Sequence, residues 1–373
     1  MNNNLLVGGV HIPALKGRQG DRDMYLLSVR NTMLLRNFAA DAEPVDSADK
    51  KAQRSLDPKH AKDIVGYITE NTEDYVLGAV TYAIDVVDGS QHFIELQEGS
   101  GVGFLILPLD AELRCLDGQH RRAAIKDAAD LDPRILDDYT AVVLYVEDDY
   151  MRRRQMFSDM NATPKVVAKA LNVSFDSRDP YAQAALRLAD EHPLLVGVVE
   201  KQKARITARS TAIFSLAGIY DGLKRYTLGP TLPRGRSPRD REVEELIELG
   251  TQFFDTLADA RPEFEEVADR VRELQAEPGN ERELGTYMAD QRKQTILLST
   301  TTLRVIAGAM HKAMARDEED SPKVYAEALG AVDFTPKSKL FVSAGFVGQN
   351  GTPNARNQEV IAATNSLEKV LRP

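Results

Sequence analysis

The sequence contains no tryptophan and a single cysteine among its 373 residues. Because Cys115 has no second cysteine to pair with, an internal disulfide framework and a cysteine-built zinc site are both excluded. The six histidines are scattered along the chain without the close spacing of zinc ligands, and we therefore predict no metal site. A single thiol also fits a reducing compartment, so we expect a cytoplasmic protein.

Long hydrophobic runs are also missing. No stretch approaches the roughly 20 uncharged apolar residues that cross a bilayer, and the first residues place no basic region ahead of an apolar core. We therefore expect neither secretion nor contact with a membrane. Hydrophobic residues make up 43% and charged residues 28% of the chain, as in folded globular proteins.

An overall excess of positive charge is absent, since the formal net charge is −10. A negative total argues against nucleic-acid binding unless positive charge is concentrated locally. Residues 201–239 provide such a concentration, with nine basic residues and only one acid, Asp221. This segment is either a solvated surface or a surface that follows DNA phosphates. In the second case the DNA contacts would be Lys201, Lys203, Arg205, Arg209, Lys224, Arg225, Arg234, Arg236 and Arg239.

The hydrophobic pattern predicts an α+β fold. Short apolar runs rich in β-branched residues indicate buried strands over residues 76–86, 102–110 and 141–148. Helical patterns are expected over residues 60–69, 121–129, 181–191, 209–226, 241–260, 262–274 and 294–315. The order predicts a mixed α/β unit over residues 1–180, followed by a mostly helical domain over residues 181–373.

The segment best suited to chemistry is DGQHRR, residues 117–122, between a predicted strand and a predicted helix. Its turn would bring backbone N–H groups to the N-terminus of a helix, where an anion is favoured. Arg121 and Arg122, which we expect to be exposed, can each clamp a phosphate, and His120 can donate a hydrogen bond or transfer a proton. The alternative is structural, with Asp117 capping the helix and the arginines solvated.

The string DGQHR, with Arg122-Ala123-Ala124 behind it, resembles the signature of DGQHR-domain proteins, which include the DndB family of bacterial DNA phosphorothioate (sulfur) modification systems. Segments at 52–54, 157–165 and 295–303 resemble other parts of the family in the same order. The resemblance implies a DNA-binding protein that acts in DNA modification and in transcription regulation of its operon. The implied partners are double-stranded DNA and other DNA sulfur modification proteins, and self-association into a homo-oligomer stays open.

The N-terminal part also resembles the ParB/sulfiredoxin-like fold, in which a Gly-x-x-Arg turn holds nucleotide phosphates. Gln119-His120 stand here where that fold has a Glu-Arg pair, which leaves the identity of the nucleotide open. Cys115, beside the turn, is interpreted as a core residue and not as a redox-active thiol. The implied nucleotide site consists of Gln53, Arg54, Gly118, Gln119, Arg121, Arg122 and Asn161.

Two functions follow from these features. The first is a regulator that binds DNA and responds to ATP or another NTP. The second is an enzyme that hydrolyses an NTP with Mg²⁺, and that also nicks DNA, using Asp117, His120 and Arg121 as catalytic residues. A third, weaker interpretation is an adaptor that holds other modification proteins together.

Overall fold

The computed structural model describes residues 9–38, 57–84, 92–108, 111, 113–162, 169–203, 206–232, 238, 240–315 and 322–372. The chain divides into two compact units, Met1–Lys165 and Val166–Pro373. The division lies before the sequence-based boundary at 180, because the helix Lys169–Phe175 contacts helices of the second unit.

The N-terminal unit is built on one mixed sheet. Its described strands are β1 (Gly9–Gln19), β2 (Arg22–Arg30), β3 (Val80–Ile84), β4 (His92–Glu95), β5 (Val102–Pro108), β6 (Leu113–Asp117) and β7 (Tyr139–Val146). They lie in the order β4-β5-β1-β2-β7-β3-β6. The β3–β7 pair is parallel, and the other described pairs of this sheet are antiparallel. The described helices are α1 (Asn31–Asn37), α2 (Pro58–Glu70), α3 (Gln119–Leu131) and α4 (Tyr150–Ala162), with a 3-10 turn at Pro133–Asp137.

The sequence of strand β3 is a run of mostly apolar residues because the whole strand is buried. All five of its residues are buried, because both faces of the sheet are covered at this strand. Tyr82 belongs to the larger core, which also holds Ile68 of α2 and Ile125 of α3. Ala83 contributes to a second cluster that includes Met156 of α4. The predicted strands over 102–110 and 141–148 are confirmed as β5 and β7.

The second unit is mostly helical, which confirms the predicted α+β class. Its described helices are α5 (Lys169–Phe175), α6 (Pro180–Glu191), α7 (Leu216–Leu228), α8 (Val243–Ala260), α9 (Glu263–Ala276), α10 (Glu281–Gln294), α11 (Thr300–Met314), α12 (Pro322–Gly330), α13 (Lys339–Ser343) and α14 (Asn357–Leu371). A short parallel pair joins β8 (Val199–Glu200) and β9 (Phe214–Ser215). One large apolar cluster holds these helices together, and α11 contacts both α7 and α14. None of the helices in the described ranges is long and apolar enough to cross a membrane.

Two predicted helix boundaries are wrong. Helix α7 begins at Leu216 and not at residue 209, because Phe214 and Ser215 form β9 and the Ser215 hydroxyl accepts a hydrogen bond from the Gly218 N–H at 3.2 Å. The helix expected over 294–315 begins at Thr300, as α11, because the Ser299 hydroxyl caps it by accepting from the Thr301 N–H at 3.2 Å.

A buried histidine closes the C-terminal end of α6. His192 Nδ1 accepts from the Leu194 N–H at 3.2 Å, while Nε2 lies 3.2 Å from an Asp255 carboxylate oxygen. These bonds suit a neutral ring that donates from Nε2. Burial lowers the pKa of His192, and Asp255 opposes this shift.

We expect stability to fall as the pH drops below about 6.5, the ordinary pKa of the unfolded histidine. In that range the unfolded chain binds a proton at His192 that the folded chain binds less well, so acid favours unfolding. Urea denaturation between pH 7.5 and 5.5 should show a smaller pH dependence in His192→Gln than in the unchanged protein. His11→Gln, at an exposed position of β1, is the control, and equal pH dependences in all three proteins would contradict the assignment.

Candidate functional site

The site is centred on a turn that contains one residue. Strand β6 ends at Asp117 and α3 begins at Gln119, so Gly118 alone connects the strand to the helix. Its φ is +98°, and a Cβ atom there would lie 2.9 Å from Val80 Cγ1, so this position requires glycine. The first hydrogen bond of the helix runs from the Arg122 N–H to the Gly118 carbonyl at 3.0 Å. The N–H groups of residues 119–121 precede it, at the end where a helix favours an anion.

Arg121 lies over this turn. Its Nη2 donates to Asp117 Oδ2, and the ion pair keeps the guanidinium beside the helix start. A Cβ atom at Gly78 would come within 2.8 Å of Arg121 Nη1, so the loop backbone borders the guanidinium on another side. The Arg121 side chain is 26% exposed and that of Asp117 46%. Asp117 therefore pairs with Arg121, and among the described side chains none caps α3 at Gly118.

Arg122 lies inside the unit, and the expectation that it is exposed is wrong. Only 9% of the residue is accessible, and its Nη2 donates to the Leu35 carbonyl at 3.0 Å. The reason is the helical period, which places residue 122 on the same face as the core residues Ile125 and Ala129. Arg122 therefore connects α3 to α1 instead of facing solvent.

His120 connects the beginnings of two helices. Its Nε2 accepts from the Asp57 N–H at 2.9 Å, and Asp57 also caps α2 by accepting from the Lys59 N–H at 3.0 Å. The ring stacks edge-to-face on His60 of α2, with 5.1 Å between the centroids. Because Nε2 accepts, the proton of the neutral ring is on Nδ1. Nε2 of His120 thus has a structural partner in the Asp57 N–H.

Cys115 is a core residue, as its sequence position indicated. It is 3% exposed, and burial raises the pKa of its thiol to about 12. Thiol reactivity depends on the thiolate, which such a pKa makes scarce at neutral pH. The structural interpretation of Cys115 is confirmed.

The structure brings five of the predicted site residues together at the turn: Asp117, Gly118, Gln119, His120 and Arg121. Gln53 and Arg54 lie outside the described residues. Asn161 belongs to α4, which contacts β6, and its side chain is outside the described part of the chain.

The basic segment is only partly a surface. Lys203 and Arg209 are exposed, and Lys201 pairs with Asp190. Lys224 and Arg225 are 5% and 4% exposed, so their assignment as surface contacts for DNA is wrong. The remaining four basic residues lie outside the described ranges: Arg205, Arg234, Arg236 and Arg239.

Lys224 and Arg225 are buried because both lie on the side of α7 that faces the core. Lys224 Nζ lies 5.0 Å from the centre of the Tyr220 ring and 6.0 Å from that of Tyr181. Burial lowers the pKa of Lys224, which nearby Asp179 partly offsets. Arg225 Nη1 donates to the carbonyl of Pro230, beyond the end of the helix.

Sequence reasoning missed Arg304 of α11, whose charge acts on Arg225. The available signal was a single basic residue in the otherwise apolar run LRVIAGAM, residues 303–310. A cation on a helix that is apolar on several faces is costly to bury without a partner.

The sequence matches the family described as DndB, DNA-sulfur modification-associated, over residues 12–372. The chain belongs to the DndB family. The match covers most of both units, which confirms the resemblance to DndB and assigns the chain to a DNA sulfur modification system. No curated protein and no solved structure matches the chain. The likeness of the N-terminal unit to the ParB/sulfiredoxin-like fold stays a prediction.

The two adjacent arginines of this DndB-family chain should differ in their effect on stability. Arg121→Ala removes a partly exposed ion pair, so we expect the free energy of unfolding to change by about 1 kcal/mol or less. Arg122→Ala leaves the partly buried Leu35 carbonyl without its partner, which should cost about 1–3 kcal/mol. Urea denaturation measures both variants, and equal losses would contradict this division.

Proposed function

We propose that the chain is a DNA-binding regulator of DNA sulfur modification that responds to a nucleotide bound at residues 117–121. The observation that carries the proposal is the combination at the start of α3: backbone N–H groups ahead of the first helical bond, the left-handed glycine at which the helix begins, and the partly exposed guanidinium of Arg121. These are the groups that bind phosphate at helix N-termini.

The response to the nucleotide would depend on the ion pair between Arg121 and Asp117. A phosphate would compete with the Asp117 carboxylate for Arg121, and Asp117 is exposed enough to return to water at low cost. Exchange of this partner would alter the turn between β6 and α3. Because His120 in the first turn of α3 accepts from the Asp57 N–H, the start of α2 would be affected as well.

An NTP-hydrolysing enzyme with Mg²⁺ and DNA-nicking activity is the second candidate. The pair of imidazoles of His60 and His120, with 5.1 Å between the ring centroids, favours it, since histidine is suited to proton transfer near neutral pH. The hydrogen bond from the Asp57 N–H to His120 Nε2 favours the regulator over the enzyme, because catalysis through Nε2 would require this bond to break.

Calorimetric titration with the four ribonucleoside triphosphates, with and without duplex DNA, tests the nucleotide site. We expect one nucleotide to bind and to change the DNA affinity, without turnover. Loss of a charge-assisted bond in Arg121→Ala should weaken that nucleotide about 10–100-fold.

Arg18→Ala is the matched control, because it also removes an arginine that pairs with a nearby aspartate, Asp21, in the same unit. Unchanged nucleotide affinity in folded Arg121→Ala would refute the site. Turnover that is lost in His120→Gln would establish the enzyme instead.

DNA binding should depend on the exposed part of the basic segment. Each phosphate contact contributes close to one unit to the slope of log K against log salt, so Lys203→Ala with Arg209→Ala should make the slope shallower by about two units. The change should be the same for every DNA sequence, since phosphate contacts carry no base information. Fluorescence anisotropy with labelled duplexes over a KCl series measures the slope.

The control is the double variant Lys337→Ala with Lys339→Ala. It removes the same charge from another exposed part of the helical unit that contains the basic segment. If both double variants change the slope equally, net charge and not local contact is responsible. For Arg234, Arg236 and Arg239, outside the described residues, the sequence-based prediction is a slope shallower by about three units in the triple alanine variant.

A further inference from the structure

Two arginines of the helical unit lie on helices that pack against each other, since a Cβ atom at Gly222 of α7 would lie 3.5 Å from Leu303 of α11. Arg225, near the end of α7, is 4% exposed, and Arg304 of α11 is half-buried. Burial and then the charge of Arg304 lower the pKa of Arg225, so the two guanidiniums act on each other as like charges. The Nε atoms of both are buried without a hydrogen-bond partner among the described residues.

Among the described side chains, no carboxylate forms an ion pair with Arg225 or Arg304. Asp221 is the acid that acts on Arg225, but its Oδ1 pairs with Lys169 Nζ at 2.6 Å. The described hydrogen bond of the Arg225 guanidinium goes to a backbone carbonyl, that of Pro230. The C-terminal end of α7 favours a cation at Arg225, whereas Arg304 lies in the second turn of α11, near the end that favours an anion.

The surroundings hold Arg225 in place. A Cβ atom at Gly308 would lie 3.1 Å from Pro230 Cβ, so α11 abuts the proline whose carbonyl orients Arg225. Gly229 precedes it with a φ of +99°, and His311 Nδ1 donates to the Tyr226 carbonyl at 2.8 Å. The last turn of α7 and the two residues that follow it are therefore in contact with α11.

We propose that Arg225 and Arg304 together bind the phosphate group of a small ligand. Two neighbouring guanidiniums offer the charge-assisted, forked hydrogen bonds that phosphate accepts, and an anion would relieve the cost of two cations in a poorly solvated place. The burial of Arg225 favours a compact anion over a DNA duplex. This site belongs to the other unit and is additional to the nucleotide site at residues 117–121.

Thermal unfolding with inorganic phosphate as the probe tests the proposal on the full chain. In phosphate-free buffer, Arg304→Gln should unfold at the same temperature as the unchanged protein or higher, because a like charge is removed. Added phosphate should raise the unfolding temperature of the unchanged protein and leave that of Arg304→Gln almost constant. The phosphate affinity measured by calorimetry should be about 10–100-fold weaker in Arg304→Gln than in the unchanged protein.

Two control variants locate the effect. Arg282→Gln removes an exposed arginine of α10 in the same unit and should keep the phosphate response. Arg121→Ala should keep it too, which separates this site from the turn at 117–121. KCl at matched ionic strength should give no comparable stabilisation.

Three results would overturn the proposal: an equal response in Arg304→Gln, an equal effect of KCl, or a loss of stability in Arg304→Gln that does not depend on phosphate. ATP and duplex DNA form the remaining arms of the experiment. Stabilisation by ATP that Arg304→Gln abolishes would support a nucleotide as the source of the phosphate. A response to duplex DNA alone would contradict a small ligand.

Discussion

The left-handed backbone of Gly118 is the constraint on which the N-terminal site depends. One residue must turn the chain from the end of β6 into the first turn of α3, and Val80 leaves no room for a side chain there. The helix then starts at a fixed rotation relative to the sheet. That rotation leaves Arg121 partly exposed beside the turn and buries Arg122 against the core, so two adjacent arginines differ in their exposure to solvent.

The sequence was sufficient to predict the elements that carry a strong local signal. Helix α2 covers the predicted 60–69 and begins at the cap Asp57 and the first-turn Pro58, and the DGQHR string lies between a strand and a helix as expected. The strands β1 and β2 were not predicted. Strand β1 is interrupted by His11, Pro13, Lys16 and Arg18, and only its Ile12 and Ala14 are buried, so it contains no apolar run. Their pairing with β5 and β7 is a long-range event that no short window of sequence contains.

The side-chain environment was harder to predict than the elements. Lys224 and Arg225 increase the apparent basic charge of residues 201–239, but α7 turns both toward the core. Composition treats every lysine and arginine as a surface charge, whereas the helical period decides which face each one takes. The same period explains Arg122. A charge count is therefore informative about surfaces only after the buried positions are known.

The position of β7 has a consequence for how the N-terminal unit forms. It is the last described strand of this unit in the chain, yet it lies between β2 and β3 in the sheet. Until residues 139–146 are synthesised, β2 and β3 each have one edge whose backbone groups lack a partner strand. The nascent chain therefore depends on a late, non-local pairing for closure. A chain truncated before β7 would carry the whole DGQHR motif without a completed sheet to support it.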